Sequence, residues 1–392
     1  MPQTLTAGAT EVVDNLVLLE IGGVLLLLGT IAFIAARIAL SAVPLFLALG
    51  LAFGQGGVAP LELSAQFLNT GAQIGAILLL LLMGLEYSAR EISETFRSSK
   101  SVILLDLIIN GIPGALIALV LGWGLQGALL LGGITYVSSS GIASELIRES
   151  GWARSQVAKR TIAVLVSEDL ILAPYLPLLT STVLGVGLIS GLISVSVALV
   201  ITGFILLISV KRENFFSQVF RRYSASALLL TVFGSALVAA GAAGLAGFSG
   251  AIAAFLVGLL LTGEVATAVR TRLAPLRDFF AAIFFIFFGL SVDPSEIVKV
   301  LPLALLITVL GGAGKFFIGW WTARDLQDPM SWRRVGSFLI PRGEFSVIIA
   351  GFSTTLAFTS EIKALTISYV IATTLTASLL LRFFRSGFEK TN

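Results

Sequence analysis

The sequence predicts an all-α integral membrane protein of about 13 transmembrane helices, laid out as two inverted repeats with two broken, crossing helices. Three observations predict it. Of the 392 residues, 57% are hydrophobic and only 12% charged, half the roughly 25% charge of a soluble domain. The basic residues gather on alternate loops. Two helices are interrupted at matching positions in oppositely oriented halves.

Apolar runs near the ~20 residues that cross a bilayer recur along the whole chain, and Gly, Pro and charge clusters divide them. The predicted spans are 16–37, 40–54, 64–87, 101–122, 124–146, 159–182 and 184–209, then 223–242, 247–263, 276–291, 297–321, 334–357 and 364–384. The first fifteen residues contain Glu11 and Asp14 but no Lys or Arg. They do not read as a cleavable leader, and the first apolar segment is expected to stay in the membrane. The loops are short. The expected organisation is therefore a single membrane domain over 1–392 with no soluble regulatory domain. Its first repeat covers about 16–182, a linker helix about 184–209 and the second repeat about 223–384.

The charge pattern sets the orientation. With the N-terminus outside and the C-terminus cytoplasmic, all but four of the 25 Lys and Arg residues fall on the cytoplasmic side. Lys299 and Lys363 lie in outer loops, and Lys315 and Arg342 lie inside predicted helices. This is the positive-inside distribution. It accounts for the formal charge of +3 and pI of 9.3 without a nucleic-acid partner. The chain has no Cys and no His, which removes disulfides, thiolate nucleophiles, imidazole-bound metals and His-based acid–base chemistry. No cofactor is expected. Proton chemistry must run on carboxylates, tyrosine or lysine.

The fifth predicted helix contains Ser138-Ser139-Ser140-Gly141 and the twelfth contains Pro341-Arg342-Gly343-Glu344. Both sequences disfavour continuous helix. A broken helix in lipid is tolerated only where protein or water pairs its backbone. The two breaks lie about 204 residues apart on helices of opposite direction, the mark of an inverted-repeat secondary transporter with its site between the repeats. Half-helix ends meet there, and Arg342 and Glu344 are candidates to compensate their charge, either against each other or across the bundle.

Glu168-Asp169 lies in the sixth predicted helix. Adjacent carboxylates in hydrocarbon cost about 2.5–3.5 kcal/mol each on insertion scales, so function rather than stability retains them. Neighbours on a helix point about 100° apart. One acid should face the crossing and bind a cation or a proton, and the other a structural partner. Lys315, deep in the eleventh predicted helix, is the natural counter-charge. Asp106 is a further acid well inside a predicted span, whereas position 372, related to Glu168 by the 204-residue offset, adjoins Thr373-Thr374.

At these residues the chain resembles the KhtU/Kef-type potassium:proton antiporters of the monovalent cation:proton antiporter-2 superfamily. The resemblance is carried in order by Gly84-Leu85-Glu86-Tyr87-Ser88, Ser138-Ser139-Ser140-Gly141-Ile142 and Glu168-Asp169-Leu170. It continues through Phe284-Phe285-Ile286-Phe287-Phe288-Gly289-Leu290-Ser291-Val292-Asp293-Pro294 and Arg342-Gly343-Glu344-Phe345-Ser346. It implies a NhaA-like fold, a homodimer in the cell inner membrane, and elevator-type exchange of cytoplasmic K+ for external H+. By position, Asp169 would bind cation and proton, with Ser138, Ser139 and Ser140 beside it and Glu168 as its companion. The pair is Glu-Asp here, where Kef proteins carry Gln-Asp and strongly electrogenic sodium exporters carry Asp-Asp. KhtU-type proteins use a separate soluble subunit, so a cytosolic regulatory partner docking on the basic loops is expected, including Lys211-Arg212, Arg221-Arg222 and Arg270-Arg272-Arg277. The alternatives are a Na+/H+ antiporter on the same scaffold and, from another class, an intramembrane aspartyl protease using Asp106 and Asp169. The protease reading lacks a glycine-flanked catalytic Asp and leaves the charged breaks unexplained.

Overall fold

The computed structural model describes residues 3–37, 41–54, 56–57, 65–86, 100–152, 154–183, 223–245, 250–261 and 263–384. Among the described residues there is helix and turn and no strand. In chain order the helices are α1 (Gln3–Arg37), α2 (Val43–Phe53), α3 (Ala65–Glu86) and α4 (Lys100–Asp106). A π-helical segment, Leu107–Gly111, joins α4 to α5 (Ile112–Val120). Then come α6 (Gly124–Tyr136), α7 (Ser140–Glu149) and α8 (Gln156–Val183). After the undescribed stretch follow α9 (Ala225–Leu245), α10 (Gly250–Leu259), α11 (Gly263–Leu290) and α12 (Pro294–Ala323). The last three are α13 (Ser331–Leu339), α14 (Glu344–Gly351) and α15 (Thr359–Phe384).

Seven of the described helical stretches are long and apolar enough to cross a bilayer. The 28-residue α8 is also long enough at 1.5 Å per residue, and it carries Lys159, Arg160, Glu168 and Asp169. The predicted linker helix 184–209 lies outside the described residues, as do the basic segments with Arg90 and Arg97 and with Lys211, Arg212, Arg221 and Arg222. One boundary differs plainly. The predicted span 276–291 begins at Gly263, because α11 runs through Pro275 with Glu264 in its first turn. Arg270, Arg272 and Arg277 therefore sit on a helix rather than in a loop. A proline forfeits one backbone hydrogen bond, and the twelve helical residues ahead of it carry the helix regardless.

Packing divides the described helices into two groups. In one, α11 packs on α3 and α2, α10 packs on α3, and α9 packs on α10. In the other, α12 packs on α13 and α15, α5 on α6, and α13 on α8. Contacts of α15 with α2 and of α14 with α11 join the groups. Inside the first group the backbones touch through glycine. A Cβ on Gly84 would stand 2.2 Å from Phe255 O, and one on Gly258 would stand 2.4 Å from Leu81 O. Such small-residue crossings replace the hydrophobic driving force that lipid does not supply. Gly84→Val should cost at least the 1–3 kcal/mol typical of overpacking. The check is the melting temperature in detergent, and a wild-type value would contradict the crossing.

The ends of α12 follow from local chemistry. Asp293 caps its N-terminus, with a carboxylate oxygen accepting from Ser295 N at 2.8 Å and Pro294 at the first helical position. These hydrogen bonds hold the Asp293 carboxyl below its ordinary range.

Candidate functional site

The site is built where two interrupted helices cross. In the first, α6 ends at Tyr136 and Val137 is extended (φ −77°, ψ 127°) before α7 begins at Ser140. In the second, α13 ends at Leu339 and α14 begins at Glu344. Pro341 has no N–H and Gly343 is extended at φ −163°. A Cβ on Gly343 would lie 2.5 Å from Ser139 Oγ, so glycine is what lets the two breaks approach. Ser139 N donates to Pro341 O at 2.8 Å, joining the breaks directly.

Every interruption strands backbone groups that hydrocarbon cannot solvate, and here side chains serve them. Arg342, fully buried, donates Nη2 and Nε to Thr135 O at 2.8 and 3.2 Å. Its Nη1 reaches Ile340 O at 2.9 Å and Leu339 O at 3.0 Å. One guanidinium thus closes the C-terminal ends of both α6 and α13, where the helix dipoles are negative. Glu344 does the converse. Its carboxylate accepts from Ser139 Oγ at 2.7 Å and Gly141 N at 3.3 Å at the start of α7, while it stands in the first turn of α14. Arg342 and Glu344 form no ion pair with each other among the described residues. Each instead contacts one helix end at each of the two breaks.

The acid pair of α8 lies against the first break, both residues 1% exposed. Glu168 Oε2 accepts from Ser138 N. Asp169 Oδ2 accepts from Ser140 Oγ at 2.9 Å. Ser138 Oγ stands 2.7 Å from Leu339 O and 3.2 Å from Glu168 Oε1, and its single proton serves one of them at a time. The two acids point differently, as their spacing on a helix requires. Glu168 turns to Lys315, whose Nζ is 3.1 Å from Glu168 Oε1 and 2.8 and 2.9 Å from the two oxygens of Asp106. Lys315 also donates to Tyr136 O at 3.1 Å, the last carbonyl of α6. Asn110 Nδ2 donates to Asp106 at 2.7 Å, one turn away across the π-helical segment.

Asp106, Lys315 and Glu168 form a buried triad in which one ammonium answers two carboxylates. Fully ionised, it carries one more negative than positive charge. A buried excess of that kind is costly, and a proton or a small cation relieves it.

The second break resembles the first in geometry, with different chemistry. Where Ser138 N meets a carboxylate 30 residues on, Arg342 N meets Thr373 Oγ1, 31 residues on, at 3.2 Å. Ser138 and Arg342 are themselves 204 residues apart. Asp106 as the partner of Lys315, Asn110, Tyr136 O and Thr373 are the members of the site that the sequence did not assign. Asp106 had a usable signal, since two opposite charges deep in apolar spans ought to be paired.

Arg342→Ala would leave the carbonyls of Thr135, Leu339 and Ile340 without this donor, at about 1–3 kcal/mol for each buried group left unsatisfied. A markedly lower melting temperature is expected. Arg342→Lys should recover only part of it, because three donors on a point charge replace a planar fork. A wild-type melting temperature for the Ala variant would show that water serves those carbonyls instead.

Residues 23–385 match the family described as the transmembrane sodium/hydrogen exchanger. The chain is 28% identical over 377 residues to the K(+)/H(+) antiporter subunit KhtU of Bacillus subtilis, covering 91% of each protein. It is 26% identical to the ammonium/H(+) antiporter subunit AmhT of Alkalihalophilus pseudofirmus, covering 95% of this chain and 94% of that one. Its structure is similar to that of the sodium proton antiporter MjNhaP1 of Methanocaldococcus jannaschii at pH 8, with a TM-score of 0.69 over 95% of this chain and 98% of that one. At 17% identity, that likeness concerns the fold.

Proposed function

Because the chain belongs to the sodium/hydrogen exchanger family, we propose that it is a monovalent cation:proton antiporter that exchanges cytoplasmic K+ for external H+ through the crossing of its broken helices. Family membership makes it a transporter rather than an enzyme and sets aside the aspartyl-protease alternative. The observation that carries the site is the buried acid pair, Glu168 and Asp169, laid against the first break.

Asp169 takes the cation or the proton, with Ser140 Oγ as its neighbour and Ser138 and Ser139 holding the break open. Glu168, tied to Lys315, balances charge. Lys315, Arg342 and Glu344 allow charged and unpaired groups to persist at bilayer depth. An aspartate that exchanges a proton for a cation couples the two flows, since it cannot hold both charges at once. Alternating access then moves the α12–α15 group, with α4–α8, against the α2–α3–α9–α11 group in elevator fashion. The grouping of contacts supports that division. The 204-residue offset supports repeats of about 16–182 and 223–384. The basic ends of α8, α12 and α13 support a cytoplasmic C-terminal side and an outer N-terminus in the plasma membrane. A homodimer and a cytosolic regulatory partner complete the reading. KhtU and AmhT are both named as antiporter subunits, which supports the partner.

The test is proton flux in proteoliposomes carrying an internal pH dye, driven in turn by K+, Na+, Li+ and NH4+. K+ should drive exchange at the lowest half-saturating concentration. A lower value for Na+ would select the sodium:proton alternative, one for NH4+ would overturn the potassium assignment, and no flux with any cation would overturn antiport.

A further inference from the structure

A cavity of about 380 Å³ opens between α4, α8 and the end of α12. Its walls include Val102, Val164 and Trp321, and its mouth holds Arg160, Arg324 and Asp325. Arg160 pairs with Asp325 across the gap between α8 and the α12 end. The guanidinium of Arg324 lies 4.6 Å from the Trp321 ring and 5.2 Å from the Trp320 ring, which fixes its position by cation–π attraction. Ser167, directly before Glu168, also lines the cavity.

We propose that this cavity binds the phosphate of an anionic phospholipid, with the glycerol and first acyl carbons against Val102, Val164 and Trp321. Three features point to that occupant. The mouth carries a net charge of +1 from two guanidiniums and one carboxylate, which matches a single phosphodiester and disfavours a multiply charged nucleotide. Arginine forks are suited to phosphate oxygens. The cavity also lies where the helices begin and end and is lined by Trp321, a residue type favoured at the level of lipid headgroups. Phe317, one turn before Trp321 on the same face of α12, is also exposed and extends the wall for an acyl chain.

The lipid would brace the three helices that deliver Asp106, Glu168 and Lys315, so binding stabilises the folded transporter. The probe is the melting temperature of the full-length protein in detergent, titrated with dioleoyl phosphatidylglycerol, dioleoyl phosphatidylcholine or inorganic phosphate. A ligand that binds only the folded state raises that temperature. Phosphatidylglycerol should raise it by several degrees, and phosphatidylcholine and inorganic phosphate should not. Arg324→Gln should weaken the phosphatidylglycerol effect at least ~10-fold in concentration, the scale of one charge-assisted hydrogen bond. Ala163→Trp, at a solvent- or lipid-facing position of the cavity wall, fills the space with every charge intact and should abolish the effect without altering the lipid-free melting temperature. An undiminished shift in Ala163→Trp would overturn the site. Inorganic phosphate acting as strongly as the lipid would overturn the lipid assignment, and no shift in the wild type would overturn both.

Discussion

Asp169→Asn protein should show no cation-driven proton flux above that of empty liposomes, while expressing and running on a sizing column as the wild type does. The amide keeps an acceptor for Ser140 Oγ, whose 2.9 Å contact anchors the side chain, so the local structure is retained. What is lost is the ability to trade a proton for a cation. Glu168→Gln separates the roles of the two acids. Asp106 remains on Lys315 at 2.8 and 2.9 Å, and the amide oxygen can still accept from Ser138 N. That variant should transport, with the charge of the triad now balanced. Robust flux from Asp169→Asn, or none from Glu168→Gln, would move the exchanging carboxylate away from Asp169.

Lys315→Ala should be among the most destabilising single changes in the chain. It leaves Asp106 and Glu168 facing each other in a buried site without their shared cation, and removing one partner of a buried ion pair costs about 3–5 kcal/mol. It also takes a donor from Tyr136 O at the end of α6. The penalty should be largest where both carboxyls are ionised and should shrink as falling pH protonates them. Melting temperatures across a pH series would show this as a gap from wild type that narrows toward acid. A gap of zero at every pH would mean that the triad contributes nothing to stability.

Much of the architecture was readable because membrane spans and helix breakers are local signals. The apolar runs and the Ser138–Gly141 and Pro341–Glu344 interruptions each lie in a short stretch of sequence, and their 204-residue offset is read by counting. Even the short predicted helix at 40–54 is present, as α2. What escaped depends on how helices cross. The Lys315–Asp106 pair joins residues 209 apart, and nothing local says which carboxylate the lysine meets. For Arg342 and Glu344 the sequence left open a mutual pairing or one across the bundle; each reaches the other break, where four helix ends meet. The π-helical turn at Leu107–Gly111 has no visible cause in Leu-Ile-Ile-Asn-Gly. The passage of α11 through Pro275 overrode the strongest local stop signal in its span.

We propose that proton and cation compete for one buried carboxylate, Asp169. The most direct test is the half-saturating cation concentration for proton flux, measured against pH in proteoliposomes at fixed membrane potential. Competition at a single group makes the two affinities reciprocal. The half-saturating concentration should therefore rise about tenfold for each unit by which pH falls on the acid limb, with the maximal rate at saturating cation preserved. A half-saturating concentration independent of pH, with only the maximal rate falling toward acid, would contradict it.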